Sequence, residues 1–282
     1  MDKTKIENFQ RTKDFLLCVD SDGCAMNTME IKHRKSLAPC MVYEWDLGEY
    51  RDAIMRRWRE ISLYSMDRGI NRFEALAKIL VDVNENYKRV EDLDSLLNWV
   101  KTSKELSTDS LRREVERTGS PALKKALEWS ELVNGSLKMI SEKNKKPFEG
   151  VREALEAAEQ FADIVIVTAA SRTEIVEEWG YYDLLKHVGL VLTQETGSKE
   201  YCIGKLLEYG YQKDHAMMVG DSPIDQRAAK AEEVFFYPIM VWKEKESWEE
   251  FRNHALDKFR EGTFAGEYQA EVEKEFVQNL TR

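Results

Sequence analysis

The chain has 282 residues, 43% of them hydrophobic, which is enough to bury a core in one large domain or in two. Its formal net charge of −10 argues against general nucleic-acid binding, which normally needs a basic face. No run approaches the ~20 apolar residues of a membrane span, and the N-terminal segment lacks the apolar region of a signal peptide. The four cysteines form no CxxC pair, so we expect a reduced, cytoplasmic chain with neither nucleic acid nor membrane as partner.

The first predicted element is a strand over residues 15–19, FLLCV, whose continuous apolar run is typical of a strand buried on both faces. Asp20-Ser21-Asp22-Gly23 follows directly. One interpretation is an ordinary turn, since Asp, Ser and Gly are common turn formers. The other is functional, because α/β sheets place ligand chemistry at the carboxyl ends of their strands. Two acids there can hold a cation, or act as nucleophile and general acid/base.

Most of the region between residues 44 and 145 is predicted to be helical. Its apolar residues recur at spacings of three and four, which is the pattern of amphipathic helices. The clearest examples are the segments 49–66, 73–87, 93–103 and 120–143. Ser120 before Pro121 is a good helix start, and Asn71 can cap the helix that begins at Phe73.

After Lys145-Lys146-Pro147 the predicted elements alternate between helix and strand, which indicates βαβ units and a parallel sheet. The predicted strands are 162–170, 189–194, 216–222 and 234–240, and the predicted helices are 151–161, 173–188, 199–210 and 224–232. We expect the strand over 15–19 to join the same sheet. The fold class is therefore α/β, with a discontinuous core of residues 1–27 and 147–282 and an all-helical insertion over 28–146. The helices of residues 245–282 have no predicted place.

Polar residues also follow two later strands. Thr168 comes near the end of one strand, Asp221 ends another with Asp225 four residues later, and Lys199 opens a helix between them. Because parallel strands carry their carboxyl ends to one edge of a sheet, we expect these groups to meet the acidic pair of residues 20–23. A hydroxyl and an ammonium suit phosphoryl oxygens, and clustered carboxylates suit Mg²⁺. The set is suited to phosphoryl transfer to a carboxylate.

At this point the chain resembles the haloacid dehalogenase superfamily of phosphohydrolases. All four motifs of that family occur in order, each at a strand or helix boundary. They are Asp20-Ser21-Asp22-Gly23, Thr168, Lys199 and Gly220-Asp221-Ser222-Pro223-Ile224-Asp225. The resemblance covers the α/β core, about half of the chain, and implies a Rossmann-like sheet. The insertion matches the family's helical cap in position.

The resemblance implies a catalytic role for four residues. Asp20 would attack phosphorus and form an aspartyl-phosphate. Asp22 would protonate the leaving oxygen and then activate the water that hydrolyses the intermediate. Thr168 and Lys199 would hold the phosphoryl oxygens.

The resemblance also implies a Mg²⁺ site. Its ligands would be Asp20, the backbone carbonyl of Asp22, and Asp221, with Asp225 orienting that shell. Carboxylate and carbonyl oxygens are the donors that this hard cation prefers.

A predicted loop between two helices of the insertion carries Arg68 and Arg72. Arginine suits bidentate recognition of phosphate or carboxylate, so the substrate is expected to carry a second anionic group that these residues contact. An ion pair of Arg68 with Asp67 or Glu74 at the surface is an equally open alternative.

The resemblance leaves the reaction open between two alternatives within the family. A dehalogenase needs neither a second aspartate nor a metal, so Asp22 and Asp221 argue against one. A phosphatase acting on a small phosphorylated metabolite leads, and a phosphomutase would keep the same core residues. A non-catalytic regulator that kept the fold is a third reading, but such a protein typically loses one of the acids. We expect a monomer or a weak dimer.

Overall fold

The structure, a computed structural model, describes residues 5–281. The chain divides into two compact units: a core unit, Met1–Met29 with Glu142–Arg282, and a helical unit, Glu30–Ser141. The first four residues and Arg282, which the sequence assigns to the α/β core, lie outside the described residues. The boundaries at residues 28 and 146 remain sequence-based predictions.

The core unit contains a five-stranded parallel sheet. Its strands are β1 (Phe15–Val19), β2 (Ala162–Val167), β3 (Leu190–Leu192), β4 (Ala216–Gly220) and β5 (Phe235–Pro238). Their order in the sheet is β3-β2-β1-β4-β5, and every pairing is parallel. The predicted α/β class is confirmed, and the strand that precedes the helical insertion lies at the centre of the sheet. β1 is fully buried at four of its five residues, as its continuous apolar run predicts.

The helical unit packs its helices around a core of its own. The helices are α1 (Met29–Lys32), α2 (Ala38–Glu44), α3 (Arg51–Leu63), α4 (Arg72–Asn86), α5 (Leu93–Thr102), α6 (Thr108–Thr118) and α7 (Pro121–Lys138), with a π-helical turn at His33–Leu37 between α1 and α2. Asn71 caps α4 in a capping box with Glu74, and Ser120 caps α7, as the sequence predicts. The sequence predicts neither α1 nor α2, and α6 lies in the region predicted to be helical but outside its clearest segments. α6 has a single buried residue, so its apolar pattern is weak.

Among its described residues, the core unit also carries seven α-helices. They are α8 (Val151–Ala158), α9 (Arg172–Tyr181), α10 (Lys199–Leu207), α11 (Pro223–Glu232), α12 (Glu244–Glu250), α13 (Leu256–Arg260) and α14 (Glu267–Leu280), with a π-helical turn at Phe251–Ala255. The C-terminal helices belong to the sheet's hydrophobic core, since Trp248, Phe251 and Phe259 are buried in the same cluster as β1 and β2. Among residues 5–281, no helix combines the length and apolar character that crossing a bilayer requires.

Candidate active site

Three neighbouring strands deliver polar residues to one edge of the sheet. Asp20, Thr168 and Asp221 are the first residues after β1, β2 and β4, and all three are buried. The backbone continues the sheet pairing at these positions: the Asp20 N–H donates to the Val219 carbonyl at 3.0 Å, and the Thr168 N–H to the Leu192 carbonyl at 3.0 Å. The strands therefore fix where these side chains begin.

Lys199 lies between two of the acids. It is the first residue of α10, after the N-cap Ser198. Its Nζ lies 3.0 Å from Asp20 Oδ1 and donates to Asp225 Oδ1 at 2.5 Å. Only 7% of the residue is exposed. Burial opposes the charge on this amine, but attraction to Asp20 and Asp225 outweighs it and raises the pKa of Lys199. The side chain is an ammonium at neutral pH.

Asp225 is held by donors on both carboxylate oxygens. Oδ1 accepts from Lys199, while Oδ2 accepts from the Ser222 N–H at 3.1 Å and from the Ser222 hydroxyl at 2.6 Å. Ser222 and Asp225 form the capping box that starts α11. Asp225 therefore orients the lysine and the loop after β4 at the same time.

Gly220 makes the approach of Asp225 sterically possible. A Cβ added at Gly220 would lie 2.3 Å from Asp225 Cγ and 2.4 Å from its Cβ, closer than non-bonded carbon atoms can come. The glycine at the end of β4 is thus required by packing, because any side chain there would displace the acid.

Three carboxylates lie close together here, and Lys199 pairs with two of them. Ligand oxygens of Asp20, Asp221 and Asp225 lie within 4.8 Å of one another, and all three residues are buried. Burial raises the pKa of Asp20 well above 3.8; Lys199 opposes this rise, and repulsion from Asp225 and Asp221 adds to it. Buried oxygen donors with excess negative charge are the chemistry that a hard divalent cation such as Mg²⁺ requires. The residues present fit that ion.

Asp22 has a different environment from Asp20. It is half-buried, and the Thr28 hydroxyl donates to its Oδ1. The intervening loop is tightly turned: the Met26 N–H donates to the Ser21 carbonyl at 2.8 Å and the Gly23 N–H to the Met26 carbonyl at 2.8 Å. Gly23 has a φ of 82°, a conformation that favours glycine. The loop thus separates two acids, one buried among charges and one nearer to solvent.

Cys24 is a buried thiol in this loop. Its Sγ donates to the Val219 carbonyl at 3.5 Å. Burial, followed by repulsion from the three nearby aspartates, raises the pKa of Cys24 well above 9.0. The side chain is therefore a protonated, structural thiol rather than a nucleophile.

Arg68 and Arg72 belong to the helical unit, and each has partners there. Arg68 is buried and donates from Nη1 to the Leu63 carbonyl at 2.7 Å. Arg72 donates to Asn134 Oδ1 at 2.7 Å, with its guanidinium over the Phe73 ring. Whether either arginine contacts a substrate stays a prediction.

Two side chains around the site had weak or no signal in the sequence. Ser222 lies in the predicted acidic motif, and its contact with Asp225 could have been found, because a serine before proline with an acid three residues later is a helix-start pattern. Thr28 offered none, since its contact with Asp22 depends on the fold of the loop.

Comparison with known proteins gives structural likenesses at low sequence identity. A candidate phosphoglycolate phosphatase from Lactobacillus delbrueckii is 15% identical with a TM-score of 0.49, covering 80% of this chain and 85% of that one. A haloacid dehalogenase-like hydrolase from Streptococcus pneumoniae is 11% identical with a TM-score of 0.47, covering 83% and 90%. A hydrolase from Pseudomonas syringae is 12% identical with a TM-score of 0.47 and the same coverages, 83% and 90%. These values say nothing about activity.

No curated protein sequence matches the chain. The family model described as haloacid dehalogenase-like hydrolase matches residues 70–239, which is more than half of the chain. That match includes Thr168 after β2, Lys199 on α10, Asp221 after β4 and Asp225 on α11. The chain therefore belongs to the haloacid dehalogenase-like hydrolase family.

Proposed function

We propose that this hydrolase is a Mg²⁺-dependent phosphatase that cleaves a small phosphorylated metabolite through an aspartyl-phosphate on Asp20. The observation that carries the proposal is the position of the Lys199 ammonium, 3.0 Å from Asp20 Oδ1 and 2.5 Å from Asp225 Oδ1. A fixed cation beside a strand-terminal carboxylate is suited to the negative charge that phosphoryl transfer must stabilise.

In the first step the Asp20 carboxylate attacks phosphorus. The new bond joins Oδ to phosphorus, and the bond between phosphorus and the leaving oxygen breaks. Asp22 gives its proton to that oxygen as it leaves. Thr168 and Lys199 hold the phosphoryl oxygens throughout, and the raised pKa of Lys199 keeps it charged for that role.

In the second step Asp22, now ionised, takes a proton from a water molecule that attacks phosphorus. Phosphate leaves, and Asp20 is regenerated as a carboxylate. The different roles of Asp20 and Asp22 follow from their different environments. Asp22 is nearer to solvent and accepts a hydrogen bond from the Thr28 hydroxyl. A proton can therefore reach Asp22 without crossing the buried charge cluster.

The proposed Mg²⁺ ligands are the Asp20 and Asp221 carboxylates and the backbone carbonyl of Asp22, with Asp225 orienting the shell. Both Asp225 oxygens already accept hydrogen bonds from Lys199 and Ser222, which supports an orienting role. When bound, the ion supplies the positive charge that keeps the buried Asp20 ionised and offsets charge on the phosphoryl group.

The decisive assay measures phosphate release from an aryl phosphate by the purified chain. We expect turnover with Mg²⁺ and none with excess EDTA. Absence of turnover on an aryl phosphate and on a panel of phosphorylated metabolites would overturn the phosphatase proposal. With phosphorylated sugars, an isomer in place of free phosphate would identify a mutase.

A further inference from the structure

Two buried tryptophans donate hydrogen bonds to the loop that joins the proposed nucleophile to the proposed acid. The Trp179 Nε1–H donates to the Ser21 hydroxyl oxygen at 2.9 Å. The Trp248 Nε1–H donates to the Cys24 carbonyl at 3.0 Å. Ser21, Cys24 and both indole rings are fully buried. No sequence motif predicts these contacts.

Ser21 is the residue between the two acids, so its position affects both. Its carbonyl accepts the N–H groups of Cys24 at 3.3 Å and Met26 at 2.8 Å, which closes the turn. Its side chain has the indole of Trp179 as donor. A buried indole N–H is costly to leave without an acceptor, so the ring and the loop constrain one another.

The two tryptophans come from parts of the chain far from β1. Trp179 lies on α9, the helix that starts at the N-cap Ser171, three residues after Thr168. Trp248 lies on α12, in the C-terminal region. Gly150, with a φ of 92°, lets α12 approach closely at Trp248, because an added Cβ would come within 3.2 Å of Trp248 Cβ. The loop is therefore held from two directions.

We propose that Trp179 and Trp248 are positioning residues that hold the loop over residues 20–26, so that Asp20 and Asp22 keep the separation that phosphoryl transfer needs. Small displacements of reacting groups lower rates steeply, by up to about 100-fold for 1 Å. In this proposal α12, in the C-terminal region, helps to position the loop in addition to packing against the sheet. It rests on the proposed phosphatase function for its kinetic part only.

The test compares Trp179→Phe, Trp248→Phe and Ser21→Ala with a matched control. The control is Trp129→Phe in the helical unit, which also removes a hydrogen bond from a fully buried indole, to the Leu37 carbonyl at 3.1 Å. All four variants are assayed as full chains, below the onset of thermal unfolding, with an aryl phosphate and Mg²⁺. We expect each loop variant to lower kcat by about 10- to 100-fold with KM within about threefold, and the control to keep kcat within about twofold.

The double variant Ser21→Ala/Trp179→Phe separates positioning from general loosening. Because both single changes remove the same hydrogen bond, we expect the double variant to lose about as much kcat as either single one. Losses that multiply would overturn the assignment of the effect to the Ser21–Trp179 bond.

Hydrogen exchange of the backbone amides tests the same proposal without any substrate. We expect exchange in residues 20–28 to be at least about tenfold faster in the loop variants than in wild type, and unchanged in the control. If the wild type proves inactive on every phosphate, the phosphatase proposal fails and exchange alone decides the positioning role. Unchanged exchange and unchanged kcat in the loop variants would overturn the inference.

Discussion

The two units of the molecule bury polar groups in different ways. In the core unit, ionisable side chains gather at one sheet edge, where Asp20, Asp221 and Asp225 lie close together and Lys199 pairs with Asp20 and Asp225. The helical unit also buries the charged residues Lys32 and Arg68, beside a hydrophobic core in which Trp58 and Phe73 both pack against Trp129, with ring centroids 6.0 and 5.9 Å from it. Within residues 5–281, the acidic cluster of the core unit is the one group of close metal-ligating side chains.

The aromatic packing and the acidic cluster are expected to affect different properties of the protein, its stability and its activity. Aromatic packing stabilises a fold, whereas burying several like charges destabilises it unless an ion or a partner offsets them. We therefore expect substitutions in the acidic cluster to remove activity at little cost in stability. The predictions below test that expectation, from the largest effect to the smallest.

The largest effect is expected from Asp20→Asn. An amide cannot act as the nucleophile, so we expect kcat on an aryl phosphate to fall by at least ~10⁴-fold, about 5 kcal/mol in activation free energy, while the far-UV circular dichroism stays that of the wild type. Asp257→Asn is the control, since Asp257 is exposed and pairs with Arg260. Wild-type turnover in Asp20→Asn would remove Asp20 from the role of nucleophile.

Gly220→Ala tests whether packing at the end of β4 positions the cluster. The added methyl would overlap Asp225 and displace it from Lys199, so we expect kcat to fall by about 100-fold or more. Gly135→Ala is the matched control. Gly135 lies inside α7, and apart from the backbone of its own helix its added Cβ would meet open space. Alanine there should stabilise the helix by up to ~1 kcal/mol. Equal activity of the two variants would contradict the steric account.

If Mg²⁺ binds the folded acidic cluster and not the unfolded chain, as we propose, it should stabilise the wild type. At 100 times its dissociation constant, a ligand adds about 2.7 kcal/mol to the free energy of unfolding. We expect Mg²⁺ to raise the Tm of the wild type and to leave Asp221→Ala unaffected. Asp109→Ala, which changes an exposed acid paired with Arg112, should respond like the wild type. Calorimetry that detects no Mg²⁺ binding to the wild type, with or without a phosphate analogue, would contradict the metal site.

Without metal, Asp20 should destabilise the fold as the pH rises. Its pKa is raised in the folded state, so the folded chain binds this proton more tightly than the unfolded chain does. Stability from this group is therefore present below pH 3.8 and is lost as pH rises above that value through the raised pKa. We expect Asp20→Asn in EDTA to be more stable than wild type at pH 7, with a smaller difference at pH 5, measured by urea unfolding. A variant less stable than wild type at both pH values would show that the ion pair with Lys199 outweighs the repulsion.

The smallest expected effect concerns the substrate side. If Arg68 and Arg72 bind a second anionic group of the substrate, alanine at either position should lower kcat/KM for the best metabolite substrate more than for an aryl phosphate. Arg113→Ala, a change at an exposed arginine of the same unit paired with Glu105, is the control. Values of kcat/KM within about twofold of wild type, a change of only ~0.4 kcal/mol, would mean that the arginines serve the structure alone.

The sheet and the polar residues at its edge could be predicted from the sequence, because β1, β2 and β4 are short apolar runs that are each followed by a polar residue. The same reasoning could not place Lys199 between Asp20 and Asp225, because that contact depends on how α10 and α11 pack. Nor could it separate the two tryptophans that hold the loop from those that fill the core. Hydrogen bonds between residues more than 150 positions apart, such as that from Trp179 to Ser21, produce no periodic pattern in the sequence from which they could be predicted.

The central claim is that Asp20 becomes phosphorylated during turnover. Rapid acid quenching of the wild-type chain with a ³²P-labelled substrate and Mg²⁺ tests it most directly, followed by mass spectrometric mapping of the label. We predict a protein-bound phosphate that hydroxylamine releases, as expected for an acyl phosphate, and that maps to Asp20. Turnover with no label on the protein at any quench time, or label on another residue, would contradict the account.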